Sequence, residues 1–106
     1  MTTTKKVQAI MKAADLSTIT PAEISRQLHI SDTTLRRRLR REKTHFAKLL
    51  MDEKKWRCAE ALAGNPYIGL TELAETCDYS HPSSMQRAFI AWYGETITHW
   101  RERVAP

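Results

Sequence analysis

Apolar positions recur at helical spacing along the whole chain, and no stretch alternates as a strand does, so the pattern predicts an all-α fold of about seven helices. Val7, Ile10, Met11 and Ala14 predict a first helix over residues 4–14. Thr20-Pro21-Ala22-Glu23 reads as a helix start. Thr20 caps, Pro21 stands where its missing N–H is harmless, and Glu23 reaches back as in a capping box. Ile24 and Leu28 then face inward on a short helix ending near His29. Ser31 caps the next helix, which carries Leu35 and Leu39 on one side. With Thr33 at zero and about 100° per residue, the leucines fall near about 200–240°. Thr33, Arg36, Arg37 and Arg40 lie within about 60° of zero, with Arg38 and Arg41 to one flank. The outer face is almost entirely guanidinium and hydroxyl.

A long helix is expected from Phe46 to Ala63, with Phe46, Leu49, Leu50, Ala61 and Leu62 buried and Gly64-Asn65-Pro66 as its stop. It rises roughly 27 Å. The second half then repeats the first. Glu72-Leu73-Ala74 starts a short helix, Asp78-Tyr79 is a turn, Ser80 caps, and Met85, Ala88, Phe89 and Trp92 form an inward stripe that Gly94 ends. Thr96 begins a last helix with Ile97, Trp100 and Val104. The offset between the halves is 49 residues up to the turn and 50 after it. Two related helix-turn-helix units, residues 1–45 and 65–106, are therefore expected on either side of a linker helix, residues 46–64.

Composition adds what the pattern cannot. The chain has 106 residues and two cysteines, Cys58 and Cys77, which cannot form a disulfide framework; a reducing cytoplasm is the expected compartment. The apolar stretch Val7–Met11 is broken by Gln8, which leaves neither a signal-peptide core nor a membrane span. The net charge of +5 is uneven. Residues 1–57 hold 14 Lys/Arg against 6 Asp/Glu, whereas residues 58–106 hold 3 against 6. Six of the eight residues from Arg36 to Lys43 are basic. Such a stripe attracts polyanions, nucleic acid before anionic membrane.

The residues resemble the DNA-binding domain of the AraC/XylS family of bacterial transcription regulators from about residue 5 to residue 103. In the first unit the likeness rests on Ile24-Ser25, Ile30-Ser31, the run Leu35-Arg36-Arg37-Arg38-Leu39, Arg41-Glu42-Lys43-Thr44 and Phe46. In the linker it rests on Leu50, Lys54 and Leu62, and in the second unit on Leu73-Ala74, Tyr79-Ser80, Arg87-Ala88-Phe89, Tyr93-Gly94, Thr96 and Trp100-Arg101. The resemblance implies recognition helices near residues 31–42 and 80–93, set in successive major grooves of double-stranded DNA. Two such heads on one face of B-DNA stand about 34 Å apart, which a rod of roughly 27 Å plus the flanking units can span.

Carried over by position, base reading falls on Thr33, Arg36 and Arg37, and on Ser83, Ser84 and Arg87 with Gln86 alongside. Arg suits the O6 and N7 of guanine, Gln suits adenine, and Ser or Thr serves several bases. Ser31, Thr34, Arg38, Arg40 and Arg41 are assigned to phosphates, fixing register without reading sequence. The family places Gly in the turn before each recognition helix, where this chain has His29 and Asp78; both are expected in the left-handed region. Met85 and Ile90 stand where the family carries an aromatic and a basic residue, and Ile97 where Pro is common. Ile90 lies near the outer face, about 60° from Arg87, where a thymine methyl, a partner or partial burial would each account for it. Arg87 is the one cation between residues 58 and 100, so the first unit is expected to supply most of the affinity.

Other chemistry is excluded or set aside. His29, His45, His81 and His99 have no structural zinc spacing with the cysteines, and no cofactor or metal is expected. No nucleophile stands near a base and no glycine-rich phosphate loop is present, so the chain is not expected to be an enzyme. Cys58 and the three tryptophans are assigned to packing. The partners expected are double-stranded DNA and, for activation, RNA polymerase, with no membrane and a monomeric domain. The rival is a protein-interaction module of the same fold that binds DNA only nonspecifically.

Overall fold

The computed structural model describes residues 1–104, and among them there are seven α-helices and no strand. The helices are α1 (Thr3–Lys12), α2 (Pro21–Gln27), α3 (Asp32–Arg41), α4 (Phe46–Gly64), α5 (Leu70–Thr76), α6 (Pro82–Tyr93) and α7 (Ile97–Val104). The chain divides into two compact units, Met1–Glu53 and Lys54–Pro106, with the division inside α4. The second half was expected to run to residue 106; residues 105 and 106 lie outside the described ones.

The first unit closes around Val7, Met11, Leu16, Ile24, Leu35, Leu39 and Leu49, all buried, with Ile10, Leu28, Phe46 and Leu50 packed partly against them. Burying each such side chain stabilises the unit by about 1.5–3 kcal/mol. The second unit has its own core, built from Cys58, Leu62, Ile68, Leu73, Cys77, Met85, Phe89 and Ile97 with Tyr79, Trp92 and Trp100 at its margin. Both thiols are fully buried; their mutual hydrogen bond and burial push Cys77 far above the ordinary thiol range, which leaves it an inert packing group. Two apolar residues stay largely outside these cores. Val104 on α7 is 43% exposed, and Trp56 on α4 is 50% exposed.

Local signals explain where each helix begins. The Thr20 hydroxyl accepts from the Glu23 N–H at 3.2 Å and Pro21 opens α2, as the sequence predicts. The capping box is only half formed, because the Glu23 carboxylate turns forward to Arg26 and Gln27 instead of back to Thr20. Ser31 caps α3, accepting from Thr34 N–H at 3.0 Å, and Thr96 accepts from His99 N–H at 3.0 Å ahead of α7. The second unit departs from the first at its recognition helix. There His81, not Ser80, occupies the cap position and makes no side-chain cap bond. The extra residue behind the shift in offset from 49 to 50 is the physical reason: the turn is one residue longer, and Pro82 sets the start of α6.

The helix ends show the repeat most directly. After α2, His29 N–H donates to Arg26 C=O and Ile30 N–H to Ser25 C=O; after α5, Asp78 N–H donates to Glu75 C=O and Tyr79 N–H to Ala74 C=O. Both are the paired Schellman bonds, and His29 (φ 58°) and Asp78 (φ 59°) both sit in the left-handed region predicted for them. A third copy follows α3, where Lys43 (φ 64°) takes that position.

Candidate nucleic-acid interface

Helix α3 presents two unlike sides. Leu35 and Leu39 are each 2% exposed in the first core. Thr33, Arg36, Arg37, Arg38, Arg40 and Arg41 are all exposed. None of the five arginines has an ion-pair or hydrogen-bond partner among the described residues. Lys43, also exposed, extends the basic surface beyond the helix end.

Five adjacent guanidinium groups repel one another, so carboxylates nearby would be expected to neutralise some of them. Two stand close in sequence, and neutral donors hold both. Asp32, at the first position of α3, accepts from the Ser25 hydroxyl of α2. Glu42, at the end of α3, accepts from the N–H groups of Thr3 (3.2 Å) and Thr4 (2.8 Å) at the start of α1. An anion at a helix N-terminus satisfies open donors and opposes the positive end of the dipole. Hydrogen bonds from Thr4, and to a lesser degree Thr3, hold the Glu42 carboxyl below the usual carboxylate range. The arginines therefore stay uncompensated by construction.

Of the residues assigned to phosphates, Arg38, Arg40 and Arg41 are open to solvent. Ser31 and Thr34 are already engaged, with their hydroxyls 2.9 Å apart and Ser31 capping the helix. Each keeps lone-pair capacity, but their first task is to start α3. Beside the arginine face lies a groove of about 560 Å³ bounded by Pro21, Ala22, Leu35, Arg36, His45 and Phe46, which nothing in the sequence pattern signals.

In the second unit Ser83 and Arg87 are exposed on α6, while Ser84 and Gln86 are half-buried. Ile90 is 45% exposed on the same outer stripe. The unit's other cations are engaged internally. Arg57 meets Asp78 at 2.6 Å with less than a fifth of either side chain exposed. Arg101 donates to the carbonyls of Pro66 and Ile68, and Arg103 bonds Glu95 at 2.9 Å. Lys54 lies over the Tyr79 ring and Lys55 over the Tyr93 ring. Sequence reasoning missed the Arg57–Asp78 pair, since 21 residues separate its members. It also missed the role of Glu42 and the left-handed Lys43; the only local signal for the latter is the helix end itself. Among the described residues no three metal-ligating side chains come together, and no helix is long and apolar enough to cross a membrane.

A family model described as a helix-turn-helix domain matches residues 24–103. No curated protein matches the sequence. Among solved structures the chain is similar to a DNA-binding transcriptional dual regulator from Escherichia coli K-12, with 24% identity, 97% of this chain and 98% of that one covered, and a TM-score of 0.86. It is similar to the C-terminal domain of AraT, a response regulator from Geobacillus stearothermophilus, at 20% identity over 95% of this chain and 84% of that one, with a TM-score of 0.82. It is also similar to the transcriptional regulator CdpR from Pseudomonas aeruginosa, at 26% identity and a TM-score of 0.77. The match to CdpR covers 94% of this chain and 31% of that one.

Proposed function

The chain belongs to the AraC-type helix-turn-helix family, and from that premise we propose that it regulates transcription by binding double-stranded DNA sequence-specifically. The observation that carries the proposal is the uncompensated arginine face of α3, built on a helix whose other side is fixed in a core. Arg36 and Arg37 read guanine edges in one major groove with Thr33 beside them. Arg38, Arg40 and Arg41 hold phosphates and supply the salt-sensitive part of the affinity. In the second unit Arg87, Ser83, Ser84 and Gln86 read the adjacent groove with far less charge behind them. The presence of a helix-turn-helix in each of the two units supports two reading heads in one chain. The domain acts as a monomer on DNA, and contact with RNA polymerase would make it an activator.

Selection of duplexes from a random pool, followed by footprinting, tests the proposal. Two protected major-groove segments about one helical turn apart are expected. The salt dependence measures the engagement of each half. Contact with six to ten phosphates gives a log–log slope of roughly −5 to −9, and contact through the first unit alone gives about half that. No enrichment of any sequence would overturn the proposal in favour of a protein-interaction module.

A further inference from the structure

We infer that Ile90 is a specificity-determining residue that reads the C5-methyl group of a thymine, one to two base pairs beyond the base read by Arg87. The inference rests on the DNA-reading function proposed above. Ser83, Arg87 and Ile90 follow at i, i+4 and i+7 on α6 and form one stripe, since at about 100° per residue they fall at 0°, 40° and 340°. The stripe is solvent-facing: Ser83 and Arg87 are exposed, and Ile90 is 45% exposed while Met85 and Phe89, on the opposite side, are essentially buried. Nearly half of the isoleucine side chain is thus open on the side that carries Ser83 and Arg87.

Its surroundings do not make it part of an apolar docking patch. Ser83 and Arg87 precede it on the stripe, and Ala91, exposed beside it, presents only a methyl group. The one large apolar neighbour a turn further on, Tyr93, is 42% exposed but falls at about 280°, off the stripe, with its ring against Phe89 (4.7 Å between ring centres) and under the Lys55 ammonium (5.1 Å). For a β-branched side chain on that stripe the best apolar partner in a major groove is the thymine methyl, the one alkyl group at the base edges, since the flanking carbonyl, amino and ring-nitrogen groups accept or donate hydrogen bonds. Ile90 stands three residues beyond Arg87, a rise of about 4.5 Å, against about 3.4 Å per base step, which fixes the spacing. The small side chain of Ala91 keeps the approach open.

The test uses the duplex selected by the wild-type chain, with each thymine in the second half-site replaced in turn by deoxyuridine, which lacks only the methyl. At one position, one to two base pairs from the guanine whose replacement is neutral in Arg87→Ala, the wild type should lose about three- to tenfold in affinity. Ile90→Ala should bind the thymine duplex weaker by a similar factor and show no further loss on the deoxyuridine duplex. Because the residue is exposed, Ile90→Ala should melt with the wild type, and the binding readout is independent of stability. A wild type indifferent to every deoxyuridine in that half-site overturns the inference, as does an Ile90→Ala that keeps full sensitivity; both leave the DNA-reading function standing. A selection that yields no preferred sequence removes the function and the inference together.

Discussion

Helices α3 and α6 hold the same position in two repeated units and carry very unlike charge. At an offset of 50, Arg36, Arg37, Arg38, Arg40 and Arg41 stand opposite Gln86, Arg87, Ala88, Ile90 and Ala91. Five uncompensated cations face one, yet the second unit is not poor in positive charge for lack of arginine alone. Its Arg57, Arg101 and Arg103 are all held by acceptors of their own unit. In the first unit, by contrast, the two carboxylates nearest the arginines in sequence are held by neutral donors. What separates the two halves is which charges are already satisfied, and that follows from a handful of partner choices. A cation held by its own fold stabilises the fold, and one left open is available to a polyanion.

The largest expected effect separates these two uses of arginine. Arg57→Ala removes the 2.6 Å partner of a mostly buried Asp78 and should destabilise the second unit by about 2–3 kcal/mol in denaturant unfolding. Replacing both Arg38 and Arg41 with Ala should leave unfolding within about 0.5 kcal/mol of the wild type while weakening DNA binding on every sequence. If the two variants lose stability alike, the division between structural and available charge is wrong. The base-reading half of the comparison comes next. Arg36→Ala should lose about 1–3 kcal/mol of affinity for the selected duplex and relax preference at one base pair. Arg87→Ala should lose less at the same salt. Equal losses would mean that the second unit carries as much of the binding as the first.

The turns before the two recognition helices offer a sharper contrast, because their backbones match and their side chains do not. Both His29 and Asp78 are left-handed, where a Cβ is strained by roughly 1–2 kcal/mol and glycine is not. His29→Gly relieves that strain against the entropy that glycine adds to the unfolded chain, and a net gain of about 0.5 kcal/mol is expected. Asp78→Gly relieves less, since Asp tolerates this region better, and it deletes the Arg57 pair, so the melting temperature should fall. One substitution in two equivalent turns should thus have opposite signs, readable by thermal unfolding of the two variants.

Much of this was written in the sequence because helix starts, turn geometry and apolar periodicity are local. Thr20, Ser31 and Thr96 cap as their spacing says, and the missing glycines at residues 29 and 78 mark left-handed turns. The exposed face of α3 follows from Leu35 and Leu39 alone. What could not be read is long-range. That Arg57 finds Asp78, that Arg101 reaches the carbonyls of Pro66 and Ile68, and that Glu42 turns to α1 instead of to Arg38 or Arg41 are outcomes of packing. Each joins residues 21 to 38 apart at the least, and no periodicity links them. The misplaced cap at Ser80 failed for a local reason, one added residue in the turn, that only the start of α6 reveals.

The smallest effect tests the choice that keeps the α3 face open. Glu42 bonds the first N–H groups of α1, and this holds its carboxyl below the ordinary value of 4.5. A group whose folded pKa is lowered adds stability that is present above that ordinary value and is lost as the pH falls through it toward the folded value. Thermal stability should therefore fall below about pH 4.5, and Glu42→Gln should flatten that part of the profile while lowering the plateau slightly, because the amide still accepts a bond but brings no charge to the helix end. Glu23, lowered first by Arg26, and Glu95 in the second unit, lowered first by Arg103, should keep the remaining acid dependence in that variant. Near neutral pH, Glu42→Gln should change DNA affinity little, since in the wild type its charge is already committed to α1. A marked gain in affinity with an unchanged acid profile would mean instead that Glu42 neutralises Arg38 or Arg41 in solution. The first unit would then be no more open than the second.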